Sequence, residues 1–214
     1  MNKILIVFLA LLLFSSCSSE KIVPKYYALN PIDLVFEEED VEDLGLAKVT
    51  FEPLKVFTLP YEVNISPVRV ANAFEQNKIA VRTKRHEMQY YYYHLWSELP
   101  STSITFLLDQ YIRDAKLFKL THLYSQKLDA KYQLNSIVEQ LERIDIEDKY
   151  SAHLKMSFQL IDLTAKEIVL TYNFDRYLPL EESTPMNVYA IHINRILYEE
   201  SRNLILKISQ TLSK

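Results

Sequence analysis

Residues 152–176, AHLKMSFQLIDLTAKEIVLTYNFDR, decide the fold of this chain. Ala152, Leu154, Met156, Phe158 and Leu160 alternate with His153, Lys155, Ser157, Gln159 and Ile161, and a period of two belongs to a strand with one buried face. Ile168, Leu170, Tyr172, Phe174 and the Arg176 position form a matching row. Asp162 to Lys166 lies between the two runs, so they read as an antiparallel hairpin.

Downstream, Thr184 can cap a helix that has Pro185 in its first turn. Met186, Ala190, Ile193, Leu197, Leu204, Ile208 and Leu212 then make one apolar stripe, and residues 189–212 span about 36 Å at 1.5 Å per residue. Upstream, Tyr132 to Ile144 reads as a long strand whose alternation slips near Ser136 and Ile137, the mark of a bulge. Before it, Pro100 and Ser101 open a second helix. Its apolar positions Ile104, Leu107, Leu108, Tyr111, Ile112 and Ala115 recur at helical spacing as far as Leu117 and Phe118. Lys78 to Thr83 is a short strand, residues 84–87 the turn after it, and Met88 to Trp96 a Tyr-rich strand. Leu46 to Tyr61 reads as one strand or two, with Pro53 and Pro60 at breaks or edges. The order of strands, helix, three strands and long helix predicts an α+β fold. Its form would be a two-layer sandwich, mainly antiparallel sheet with two helices packed on one face.

The N-terminus carries a different kind of signal. Lys3 precedes the apolar run ILIVFLALLLF (residues 4–14), which is long enough for a signal peptide and short of the roughly 20 residues of a spanning helix. Ser15, Ser16 and Cys17 follow. Small residues directly before a cysteine resemble the lipobox of bacterial lipoproteins, with Phe14 standing where Leu is usual. The resemblance implies cleavage before Cys17 and a covalent lipid on it. The expected organisation is a signal peptide at 1–16, a lipidated tether at 17–24 and a single domain at 25–214. Cys17 is the only cysteine, so no disulfide is available. Ser18 rather than Asp after the cysteine points to the outer membrane, facing the periplasm, with the inner membrane not excluded.

Composition narrows the function further. The formal charge is −4, or −5 once Lys3 is removed, which argues against a nucleic-acid partner. Gly45 is the only glycine. Phosphate-cradling loops need two or three so that the backbone can approach the phosphates, so neither a P-loop nor a dinucleotide fingerprint is present. The acidic run Glu37-Glu38-Glu39-Asp40, with Glu42 and Asp43, lacks the oxygen spacing of a calcium loop and reads as a solvated segment. His86, His94, His122, His153 and His192 show no metal-binding spacing, so no cofactor is expected beyond the lipid on Cys17. His153 and His192 read as residues of solvated faces. No nucleophile motif occurs, so the protein does not read as an enzyme. Lys78, Arg82, Lys84 and Arg85 read as a charged hairpin tip. Tyr90, Tyr91, Tyr92 and Tyr93 must alternate across a strand, one pair toward the core and the other outward. With Trp96 they form a candidate partner interface.

Taken in order, several segments resemble the ABC-type transport auxiliary lipoprotein family, which includes the paraquat-inducible PqiC-type lipoproteins. They are the Cys17 lipobox, Tyr26-Tyr27-x-Leu29, Pro67-Val68-Arg69-Val70, Asn77 to Arg82, and Met88-x-Tyr90-Tyr91-x-Tyr93-His94-Leu95-Trp96-Ser97-x-x-Pro100. The resemblance covers nearly the whole chain. It implies a non-catalytic, membrane-anchored component that works beside MCE-domain (mammalian cell entry) proteins, an ABC permease and its ATPase. Such systems move phospholipids or other lipophilic molecules across the periplasm. An alternative is a cofactor or activator of another envelope machine, such as a cell-wall synthase. A homo-oligomer is compatible with the sequence.

Overall fold

A computed structural model describes residues 22–31, 54–123 and 130–213. The expected signal peptide, Cys17, the acidic run, Gly45 and the expected strand residues 46–53 lie outside the described residues. The strands are β1 (Lys25–Tyr27), β2 (Leu59–Ile65), β3 (Arg69–Val70), β4 (Lys78–Lys84), β5 (Glu87–Trp96), β6 (Phe118–Leu123), β7 (Tyr132–Ile146), β8 (Lys149–Asp162) and β9 (Glu167–Leu180). Helix α1 (Pro100–Asp114) separates β5 from β6, and α2 (Met186–Leu212) closes the fold.

The hairpin legible in the sequence is the strongest part of the sheet. β7, β8 and β9 pair antiparallel along nearly their full lengths. Ala152, Leu154, Met156, Phe158 and Leu160 are all at most 1 % exposed, as the alternation requires. The bulge in β7 falls between Val138 and Gln140, two residues past the expected slip. Glu147 and Asp148 join β7 to β8 in a two-residue turn, both in the left-handed region (φ 48° and 60°). That turn geometry favours Asn-Gly, so two bulkier residues hold it here against their own preference.

β7 is the spine of the molecule. One edge carries β8; the other carries three partners in succession. Val63–Ile65 of β2 run parallel to residues 132–134, Arg69–Val70 of β3 to 137–138, and Ala80–Arg82 of β4 to 142–144. The sheet therefore forks. One branch continues from β2 to β6, the other from β4 through β5 to the edge strand β1. The sheet is mixed: five of the eight described pairings are parallel but short, while the long β7–β8 and β8–β9 ladders keep most of the paired residues antiparallel, as expected. Alternation reports which face a strand buries; it carries no information on the direction of its neighbour. β3 and β6 are additions to the expected order. β6 escapes a pattern reading because Leu120, an apolar residue, is 48 % exposed. Pro60 lies in β2 where the register against β6 shifts and before the pairing with β7 begins, a position that needs no N–H for the ladder.

Both helices follow their stripes. α1 starts with Pro100 in its first turn and buries Ile104, Leu107, Leu108, Tyr111 and Ile112. It packs on β6, β3 and α2. α2 starts one turn-residue after Pro185, and Thr184 Oγ1 accepts a bond from the Glu181 backbone N–H instead of capping the helix. Its buried residues Tyr189, Ile193, Ile196, Leu197, Leu204 and Ile208 lie against β8 and β9. Arg176, in the apolar row of β9, reaches α2 and pairs with Glu199 (3.1 Å) and Glu200. The Tyr172 hydroxyl also donates to Glu200, which is 3 % exposed, so a buried carboxylate clamps helix to sheet. Among the described residues, no helix is long and apolar enough to cross a membrane.

Candidate functional site

The tyrosine run occupies an irregular stretch of β5. Lys78 of β4 pairs with Leu95 and Ala80 with Tyr90, so two residue steps on β4 face five on β5. Three extra residues bulge out between them. This breaks the strict alternation expected for the run. Only Tyr91 turns inward, and its hydroxyl donates to Asp145 Oδ2 at 3.3 Å. Tyr90, Tyr92 and Tyr93 are 38 %, 71 % and 36 % exposed. Tyr92 and Tyr93 meet edge to face at 4.8 Å, and Lys78 Nζ stands 5.4 Å from the Tyr92 ring centre. Trp96 does not belong to this surface. It is 3 % exposed and packs on Tyr189 at 5.9 Å, because the ladder is restored at Leu95 and returns the chain to the core.

Beside this stretch a cleft of about 820 Å³ opens between β1, β5 and the N-terminal end of α2. Arg143 forms its back wall. Its guanidinium donates to Asp145 Oδ1 (2.8 Å) and to the backbone carbonyls of Thr184 (3.0 Å) and Glu182 (3.3 Å). Those bonds pin the loop that launches α2, so the charge is fully used. Tyr27 Oη and His94 Nδ1 lie 2.8 Å apart across the front. Burial, helped by Asp145, pushes the Tyr91 hydroxyl up to about 12. Burial and the charges of Lys25 and Arg143 hold His94 below the usual imidazole range. These groups can offer hydrogen bonds to a polar ligand. Tyr91 stays protonated at neutral pH and cannot serve as a base there.

A third cluster sits on the opposite face of β8. His153 is 1 % exposed, which corrects its expected place on a solvated face. Its position does alternate outward, yet side chains of the flanking strands, Glu142, Asp175 and Tyr177, enclose it. Its Nδ1 lies 3.3 Å from Glu142 and its Nε2 2.9 Å from Asp175, and Tyr177 stacks on the ring at 3.9 Å. Arg82 grips Glu142 from β4, with Nε 3.0 Å from Oε1 and a second nitrogen 2.8 Å from Oε2. Burial works to raise the Glu142 carboxyl, but the bonds from His153 and Arg82 outweigh it and hold it below the usual range. His192 is half-buried, and burial together with Arg195 lowers it. Of the basic hairpin, Lys84 pairs with Glu87 at 2.8 Å, and Arg82 belongs to the buried cluster instead of the tip. Among the described residues no group of three His, Cys, Asp or Glu side chains could hold a metal ion.

The described residues thus form an α+β domain with an exposed aromatic edge and a polar cleft. Comparison with known proteins sharpens that. The model of the ABC-type transport auxiliary lipoprotein component family matches residues 57–194, from β2 into α2. The chain belongs to this family, and hence to the lipoproteins of the cell envelope. Among solved structures, protein XCC0632 from Xanthomonas campestris, of the DUF330 family, is similar over 88 % of this chain and 97 % of its own (15 % identity, TM-score 0.70). An uncharacterized protein is similar over 87 % of this chain and 99 % of its own (13 % identity, TM-score 0.57). At these identities the likeness is one of fold. The dodecameric PelC from Paraburkholderia phytofirmans is a more distant neighbour (14 % identity, 65 % and 85 % covered, TM-score 0.38). No match was found among curated proteins.

Proposed function

We propose that this protein is a non-catalytic docking subunit of an MCE/ABC-type system that moves phospholipids or other lipophilic molecules across the periplasm. It is held at the outer membrane by a lipid on Cys17. The match to the transport-auxiliary family over residues 57–194 carries the reading. The lone glycine supports it, since a chain without a phosphate-binding loop must leave ATP hydrolysis to another subunit. A diacylated cysteine that is also N-acylated gives stable anchoring, each buried methylene contributing about 0.8 kcal/mol. Tyr90, Tyr92 and Tyr93 supply exposed contact surface. The helices form one layer on the sheet, consistent with the contacts of α2 with α1, β8 and β9. A homo-oligomer would multiply such a surface around a conduit.

The test is affinity purification of the tagged, lipidated protein from detergent-solubilised membranes, followed by mass spectrometry. An MCE-domain protein with its ABC permease and ATPase is the expected recovery. Recovery of a cell-wall synthase in their place would overturn the proposal.

A further inference from the structure

We infer that the sheet edge formed by residues 22–26 and the Tyr92–Tyr93 bulge seats on the phosphate headgroups of the bilayer that holds the anchor. The inference rests on the lipidation of Cys17 proposed above.

Chain direction is the first support. β1 runs parallel to β5 with Lys25 opposite His94. The residues before Lys25 therefore head along β5 past Tyr93 and Tyr92, toward the N-terminal end of that strand. Eight residue steps separate Cys17 from Lys25, which span at most about 26–29 Å at 3.3–3.6 Å per residue. The tether thus delivers this edge to the membrane before any other part of the fold.

Chemistry is the second. Ile22, Val23, Tyr26 and Tyr92 are 62 %, 72 %, 64 % and 71 % exposed, a concentration of apolar and aromatic surface next to the anchor. Tyrosine suits the headgroup layer because its ring is apolar and its hydroxyl is wet. Lys25 and Lys78 flank the rings, and neither residues 22–27 nor residues 88–96 contain an Asp or Glu. Within those stretches the only formal charge is that of Lys25, as anionic headgroups favour, and Glu87 at the start of β5 is paired with Lys84. The bulge adds a third support. It sacrifices ladder bonds and turns Tyr92 outward while only Tyr91 of the run turns inward. Bulges commonly re-aim side chains in this way.

The full, lipidated chain reconstituted in vesicles of phosphatidylethanolamine and phosphatidylglycerol tests this. Acylation occupies Cys17, so a single introduced cysteine is the only free thiol. Val23→Cys and Tyr92→Cys are labelled with an environment-sensitive fluorophore and compared with Phe106→Cys on α1 and Ile168→Cys on β9, both exposed in the structure. Headgroup-nitroxide lipids should quench the labels at 23 and 92 at least twofold more than those at 106 and 168. Equal quenching at all four positions overturns the inference, as does a blue shift at 92 that depends on protein concentration and not on lipid. The mass of the Cys17 peptide separates the two readings. Acylated Cys17 without selective quenching rejects the docking edge alone; an unmodified Cys17 rejects the anchor as well.

Discussion

Replacing Arg82 with Met removes the guanidinium that holds Glu142 while keeping an unbranched apolar stem. Glu142 is 1 % exposed and receives two Arg82 contacts, at 3.0 and 2.8 Å, leaving only His153 at 3.3 Å after the change. Stranding a buried charge costs about 3–5 kcal/mol. The Arg82 side chain is 23 % exposed and water can reach the vacated site, which places the loss near the lower bound, about 3 kcal/mol. For a domain of this size each kcal/mol shifts the melting temperature by about 2–4 °C, so Arg82→Met should melt about 6–12 °C lower. Arg82→Met with Glu142→Leu should recover much of that, since an apolar pair leaves no unpaired charge. The measurement is thermal unfolding by circular dichroism of the four corners of the cycle. The pH dependence supplies a second readout. Glu142 is held below its unfolded value, so its stabilisation is complete above about pH 4.5 and fades as the pH falls through its folded value. Glu142→Gln should flatten that acid limb. A loss under 2 °C in Arg82→Met, or strict additivity in the double variant, would show that the cluster is decorative.

Trp96→Ala should cost about 3–5 kcal/mol because the indole is buried against Tyr189, whereas Tyr92→Ser should stay within about 0.5 kcal/mol; urea unfolding distinguishes them. Replacing Glu147-Asp148 with Asn-Gly relieves two positive-φ residues and should stabilise the β7–β8 hairpin by about 1 kcal/mol, seen as a higher urea midpoint. The Tyr91 hydroxyl should resist ionisation to about pH 12 in ultraviolet titration, against about 10 for an exposed tyrosine. Since its folded value is raised, the stability it contributes is complete below pH 10 and lost as the pH rises through 12. Cys17→Ser should move the protein from the membrane to the soluble fraction, with the domain still folded by circular dichroism.

Local pattern revealed the parts whose physics is local. The β8–β9 hairpin follows from ten alternating residues, and α2 from one stripe, because each buries a continuous face that its own sequence must supply. Parallel pairing left no comparable trace: β3 has two residues, and β6 exposes Leu120. The tyrosine run was visible, but its orientation was not, since the three-residue bulge arises from the return of Leu95 to Lys78 across the strand pair. His153 shows the same limit more sharply. Its polar identity suggested solvent, while the carboxylates that enclose it come from Glu142 on β7 and Asp175 on β9. Arg143 and Asp145, which build the cleft wall, gave no motif: Arg143 donates to backbone carbonyls of the loop before α2, and Asp145 accepts from Arg143 and from Tyr91 on a distant strand.

The spine strand also dictates an order of events. β7 begins at Tyr132, after every strand of both branches has been made. When the chain emerges from N to C, β2, β3 and β4 thus arrive with their shared neighbour still to come. The two branches can form only isolated fragments until the last two-fifths of the chain follows. Such non-local closure delays the commitment to a folded state. On the export route that the proposed lipidation requires, the chain must stay unfolded to be threaded, and the late position of β7 in the sequence favours that.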